Sequence, residues 1–244
     1  MAAAVLFLLL SAALMVFSAK VPAFAEWYSE YIYPLAVNSI GRISGLVPFS
    51  VSEIGIYILL TAFIVTLVRM VIKIAGSKAG RSKTGRRKTT DAPSGLFASW
   101  ISGVLLAAGI LAFLYTACCG INYHRRSFSE EEGIITYQYS ADELKEICIW
   151  LTEEVNARAD EVKRDTQGLL MLEASEREGG VEAMRQLSGE FSSLAGYYPK
   201  PKALIGSEIL SYQGLTGIYL PFTVEANYNG DMPAYDKPFT VCHE

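Results

Sequence analysis

Residues 96–121 read LFASWISGVLLAAGILAFLYTACCGI, a run of 26 residues with no charged side chain. As a helix rising 1.5 Å per residue it would be about 39 Å long, longer than the ~30 Å hydrocarbon core of a bilayer. Two more runs have the same character. Residues 2–24 (AAAVLFLLLSAALMVFSAKVPAF) carry only Lys20, and residues 54–74 carry Arg69 and Lys73 near one end, where long basic side chains snorkel to the headgroups. One such run fits inside a soluble core, but three in one short chain do not. The sequence predicts a multi-pass α-helical membrane segment with three transmembrane helices.

The composition agrees. Of 244 residues, 51% are hydrophobic and 19% charged, with a mean hydropathy of +0.27; a soluble domain has about 25% charged residues. The distribution is uneven. Residues 1–68 hold only Lys20, Glu26, Glu30, Arg42 and Glu53, and residues 92–124 hold no charge with histidine neutral. Residues 125–244 hold 21 of the 25 acids and 11 of the 21 bases, a local net charge of −10. The overall −4 therefore says nothing about partners. The boundaries expected are a membrane region at 1–124, with spans at about 2–24, 54–74 and 96–121, and a water-facing region at 125–244.

The connection between the second and third spans sets the orientation. Arg69, Lys73, Lys78, Arg81, Lys83, Arg86, Arg87 and Lys88 precede the first acid, Asp91. Short loops rich in Lys and Arg stay in the cytoplasm. Residues 75–95 are thus a cytoplasmic loop, the N-terminus is inside, and residues 26–53 and everything after the third span are outside. Arg125 and Arg126 oppose the bias too weakly to reverse it. The run lacks the interleaved aromatics of a nucleic-acid surface, so lipid, not nucleic acid, is the partner expected. Ala23-Phe24-Ala25 has the A-x-A form of a signal-peptidase site, but the apolar run is longer than a signal h-region and no basic n-region precedes it. A retained helix is expected. In the outer loop Trp27, Tyr28, Tyr31 and Tyr33 suit the membrane interface, with Pro34 and Val47-Pro48-Phe49 breaking it into short pieces.

The acidic half reads as α+β. Ser140 and Glu143 have capping-box spacing, and Leu144, Ile147, Cys148, Leu151 and Val155 follow as one apolar face. Cys148 is expected in the core. A second helix is expected from near Gly180, with Val181, Met184, Leu187, Phe191 and Leu194 buried; residues 163–179 read as a loop or a further short helix. After Tyr198-Pro199-Lys200-Pro201, the runs 203–205, 209–210, 217–220 and 222–224, punctuated by Gly and Pro, predict strands and turns. Thr223 to Tyr228 reads equally as an exposed sheet edge or a core strand, and Glu225 as solvent-facing or turned to a cleft. Cys118, Cys119, Cys148 and Cys242 form no C-x-x-C pair and no disulfide framework.

The chain closes on Cys242-His243-Glu244. His-Glu opens H-E-x-x-H, in which two histidines four apart grip zinc and the Glu serves as general base; alone, the dipeptide carries little weight. Around it stand Ala25-Glu26-Trp27-Tyr28, Tyr33-Pro34, Val47-Pro48-Phe49-Ser50, Gly120-Ile121-Asn122-Tyr123, Tyr139-Ser140, residues 217–227 (GIYLPFTVEAN) and residues 238–244 (PFTVCHE). With these the chain resembles the bacterial membrane family catalogued as domain of unknown function 3810, over nearly its whole length.

The resemblance implies a zincin-like domain outside a bacterial cytoplasmic membrane, acting on peptide or protein. His243 matches the first zinc ligand and Glu244 the general base. The second His would fall three residues beyond Glu244, so the chain reads as a fragment that stops inside its motif, its α+β domain incomplete at the C-terminus. A catalytic zinc takes three protein ligands and a water. Zinc and activity are therefore expected only of the complete protein, a membrane-anchored zinc metallopeptidase. The alternative is a non-enzymatic membrane protein, a sensor or scaffold that keeps the fold. A transporter finds no support, because no charge lies near the middle of a span.

The eight-to-two asymmetry in basic residues predicts that a topology reporter fused after Lys88 reads as cytoplasmic and one fused after Ser140 as external. The opposite pattern would overturn the assignment.

Overall fold

The structure, a computed structural model, describes residues 1–79, 93–135, 137–169, 171 and 175–244. Arg81, Lys83, Arg86, Arg87 and Lys88 of the basic loop lie outside the described residues. The chain divides into two units, Met1–Arg125 with Leu220–Glu225, and Arg126–Tyr219 with Ala226–Glu244.

The first unit is built on α1 (Ala2–Lys20), α2 (Val51–Ala79) and α3 (Pro93–Cys118). All three are long and apolar enough to cross a membrane. Leu6, Ile58, Leu60, Ile64 and Val71 stand exposed on α1 and α2, as lipid-facing side chains would. The first span stops short of the expected residue 24. Val21, at φ −128° and ψ 80°, leaves the helix because Pro22 follows, and the residue before a proline is pushed out of the helical region.

α1 and α3 pack through small residues. Ala4, Ser11 and Ser18 are buried at intervals of seven along α1, and Gly109 meets the first of them: a Cβ there would lie 3.0 Å from the Ala4 carbonyl oxygen. In lipid the apolar tails supply no hydrophobic drive between helices, so close backbone approach and dispersion hold them together. Ser11 and Ser18 donate their hydroxyls to Phe7 O (2.7 Å) and Met15 O (3.0 Å) on the same helix and so bury no unpaired group. Gly109 meets Ala4 and Gly120 meets Met15, so α1 and α3 run in the same direction. Phe63 of α2 lies against Trp100 of α3, ring centroids 5.3 Å apart.

Between α1 and α2 the chain stays helical over Pro22–Trp27, Tyr28–Ile32, Tyr33–Ala36, Val37–Gly41 and Arg42–Ser44, although Pro34 predicts a break. Tyr28–Ile32 and Val37–Gly41 are π-helical turns. The first widens the helix just where the Pro34 ring would clash with the carbonyl one turn back. Tyr28 donates its hydroxyl to Ala117 O (2.9 Å), one of the carbonyls left without a helical partner at the end of α3.

α2 begins earlier than the apolar run alone predicts, because Ser50 caps it. The Ser50 Oγ accepts from Glu53 N at 3.2 Å. Glu225 completes the cap from far along the chain. Its carboxylate, 1% exposed, accepts from Val51 N (3.1 Å), Ser52 N (2.9 Å), Ser50 Oγ (3.4 Å) and the Thr223 hydroxyl. A carboxylate at a helix N-terminus meets unpaired N–H groups and the positive end of the helix dipole. Ser44 donates to Thr223 O (2.9 Å) and Ser52 bonds the Thr223 hydroxyl (2.6 Å). Glu225 is thus neither solvent-facing nor turned to a cleft.

In the second unit α4 (Ala141–Arg158) carries the expected capping box, with Ser140 accepting from Glu143 N and Glu143 from Ser140 N. These hydrogen bonds, the one from the Ser140 backbone first, hold the Glu143 carboxyl below its ordinary pKa. Its apolar stripe is not core: Leu144, Ile147, Leu151 and Val155 are exposed, and so is Cys148. Helical periodicity fixes which side chains share a face, not whether another element covers it. α5 (Glu176–Glu190) begins four residues before Gly180, because Ser175 caps it. It ends before Phe191, whose ring instead meets Phe128 at 5.2 Å, and Leu187 is exposed while Val181 is buried.

β1 (Lys202–Ala203), α6 (Ser207–Gln213), β2 (Gly217–Leu220), β3 (Glu225–Tyr228) and α7 (Lys237–His243) follow. Two expected strands fail. Residues 209–210 are helical, in a short turn of helix closed by Gly214 at φ +67°. Residues 221–224 form the turn between β2 and β3, with Val224 at φ +53°, a strained conformation for a β-branched residue. The sheet order is β1-β3-β2. β1 runs parallel to β3, Lys202 opposite Asn227, and the four-residue turn makes β2 and β3 an antiparallel hairpin. β3 is buried along its length and central, so the edge strands are β1 and β2, not residues 223–228.

Replacing Glu225 with Ala leaves the Val51 and Ser52 N–H groups without this partner in a buried site, at a cost of about 1–3 kcal/mol per group. The thermal midpoint of the detergent-solubilised protein is expected to fall by several degrees, with a smaller fall for Glu225→Gln. An unchanged midpoint for both would show that the cap contributes nothing.

Candidate functional site

α7 presents the two residues singled out in the sequence. Pro238 sits in its first turn, where a missing N–H costs nothing. Val241 and Thr240 are buried and hold the helix down. Val241 joins Tyr228 and Met232 in a small core, and the Thr240 hydroxyl reaches Met232 Sδ at 3.7 Å. The opposite face carries Phe239 and His243, one turn apart, with rings stacked at 6.2 Å and 13°. His243 and Cys242 are exposed.

α5 crosses α7 at Gly180. A Cβ in place of its hydrogen would lie 2.7 Å from Val241 Cγ1 and 3.3 Å from the Val241 carbonyl oxygen, so only glycine allows the approach. Gly217, at the start of β2, does the same for Glu244: a Cβ there would lie 2.6 Å from its Cγ and Cδ. The Glu244 carboxyl therefore lies against the backbone of this edge strand. Burial pushes its pKa above the ordinary value, and His243 pulls weakly the other way. A carboxylate with a raised pKa is a stronger base than an ordinary glutamate.

Glu244 and His243 border a cavity of 140 Å³, closed by α5, the 198–201 segment and Ala226 of β3. Beyond β3, Asn229 shapes the turn: its amide donates to Ser211 Oγ (2.9 Å) and Leu215 O (3.2 Å), and Gly230 N donates to Ser207 Oγ (2.8 Å). Among the described residues no three His, Cys, Asp or Glu side chains converge on one point. His243 is the one motif ligand present, and Cys242 next to it is turned about 100° around the helix. Among the described residues, His243 therefore stands without the further ligands that a catalytic zinc takes.

The sequence reading gives neither Ser50 nor Glu225 a capping role. Ser50-Val51-Ser52-Glu53 has the S-x-x-E spacing that marks a helix start, so the first was legible; Glu225 as a cap from 173 residues away was not.

The family described as a protein of unknown function, DUF3810, matches residues 28–244. The chain belongs to that family. No curated protein and no solved structure shows significant similarity to it.

Gly180→Ala is expected to destabilise the second unit by about 1–3 kcal/mol, the usual cost of overpacking, because backbone stands in the way of the new methyl group. Gly217→Ala meets only the movable end of Glu244 and is expected to leave stability nearly unchanged while lowering the Glu244 pKa as the carboxyl swings into water. Chemical denaturation and carboxyl NMR titration read the two effects. Equal destabilisation by both would contradict the packing described.

Proposed function

We propose that this chain is the membrane-anchored part of a zinc-dependent peptidase, with Glu244 as general base and His243 as one metal ligand. Its N-terminus is in the cytoplasm and its α+β unit outside a bacterial cytoplasmic membrane. The observation that carries the proposal is the setting of Glu244. A half-buried carboxyl of raised pKa lies against an edge strand, beside an exposed histidine and a cavity. Extended peptides bind by adding to such an edge, which would bring a substrate backbone along β2 to Glu244.

Zinc, when bound, polarises a peptide carbonyl and makes its water acidic. Among the described residues His243 is the one assigned as a ligand; in this reading the other ligands are placed after Glu244, a His one turn after His243 first among them. The part assigned to Glu244 is to accept the proton of the attacking water and to hold it in a site that favours the protonated carboxyl.

A protein carrying the natural residues that follow Glu244 is expected to bind one zinc and cleave peptides, whereas residues 1–244 alone do neither. Glu244→Gln in the longer protein should keep the zinc and lose about 10²–10⁴-fold in turnover, the usual worth of a general base. The acidic limb of kcat/KM should lie above the ordinary 4.5 of a glutamate, since the base must be ionised to act. The same raised pKa sets the sign for stability: the contribution of Glu244 is greatest below pH 4.5 and is lost as pH rises through the folded-state value. Metal analysis, a peptide-cleavage assay and its pH profile test these points. Tight stoichiometric zinc in residues 1–244 would overturn the ligand assignment, and a longer protein without zinc would favour a non-enzymatic role.

A further inference from the structure

The cavity beside Glu244 is built to hold an apolar group. Its wall is made by Val181 and Met184 of α5, Val241 of α7, and Tyr198, Pro199 and Pro201. The Tyr198 hydroxyl is committed to the Leu194 carbonyl, so the residue offers only its ring. Pro199 and Pro201 have no N–H to offer, and Lys200 between them pairs with Glu178 at 3.2 Å. Polar partners come only from the side of Cys242, His243 and Glu244, so a charged or strongly polar side chain reaching the apolar wall would lose water for few replacement hydrogen bonds, which is costly. The size is also informative. At 140 Å³ the space is close to the ~150 Å³ of an engineered apolar cavity that accepts benzene.

We propose that this cavity is a subsite for one apolar side chain of a peptide, of leucine to phenylalanine size. The inference rests on the peptidase assignment above for its peptide ligand. The cavity shares its border with His243 and Glu244, so the side chain it holds belongs to a residue next to the bond attacked. Proline on one wall and two packed helices on the others make the subsite largely preformed, and little ordering cost is set against the gain from burial.

The test uses N-acetylated pentapeptide amides that differ at one position, occupied by Gly, Leu, Phe, Lys or Glu. Binding to the detergent-solubilised longer protein described above, loaded with zinc, is measured by calorimetry, and cleavage of the same series is measured alongside. Leu and Phe are expected to bind on the order of 10–100-fold more tightly than Gly, the effect of burying such a side chain, with Lys and Glu no better than Gly. Met184→Ala enlarges the subsite and should move the preference toward Phe. Val181→Phe fills it and should abolish the preference; if that variant does not fold, Met184→Ala still decides. Equal binding of all five peptides, tightest binding of Lys, or a preference that ignores Met184→Ala would overturn the subsite. Selective binding without cleavage would keep the subsite and remove the peptidase assignment, whereas cleavage without selectivity would do the reverse.

Discussion

A single buried carboxylate organises the region where α2 begins. Glu225 takes the Val51 and Ser52 N–H groups, the Ser50 hydroxyl and the Thr223 hydroxyl, and so satisfies donors that an apolar helix cannot satisfy for itself. Burying a carboxylate is costly unless its oxygens are matched; here the helix terminus supplies the match. The turn that precedes Glu225 is held as a consequence. Val224 keeps a left-handed backbone because Thr223 on one side is tied to Ser44 and Ser52 and Glu225 on the other is tied to α2. The connection between β2 and β3 thus belongs to the same unit as the membrane helices.

The membrane helices depend on a different kind of contact. Ala4, Ser11, Ser18 and Gly109 contribute little by their own side chains. Their value is that they take up little room, which lets α1 and α3 approach until a Cβ on Gly109 would crowd the Ala4 carbonyl oxygen at 3.0 Å. The same device recurs in the second unit, where Gly180 admits Val241 and Gly217 admits Glu244. Glycine there is selected by the neighbour's volume, since none of these three positions needs a left-handed backbone.

The three apolar helices were plain in the sequence because length and the absence of charge are local properties. A run of about 20 apolar residues suffices to span a bilayer whatever surrounds it. The capping box at Ser140 and the Ser50 cap on Glu53 N are local too, each closed within four residues. Element boundaries were legible where a local device sets them, as at Pro22 and Ser175, once that device is weighed against hydrophobic period. The pair His243 and Glu244 was legible only as a motif.

What tertiary structure alone decided is where those local pieces have their environment. The face of α4 was correctly periodic yet stands exposed, because period says nothing of what lies opposite. Residues 209–210 and 222–224 looked like strands by composition and became a helix and a turn, since short apolar pairs satisfy several geometries and neighbours choose among them. Glu225 reads as an ordinary strand acid until Val51 and Ser52 are brought to it from more than 170 residues away. The raised pKa of Glu244 likewise needs Gly217 and the walls of its cavity, because desolvation is a property of the surroundings and not of the residue.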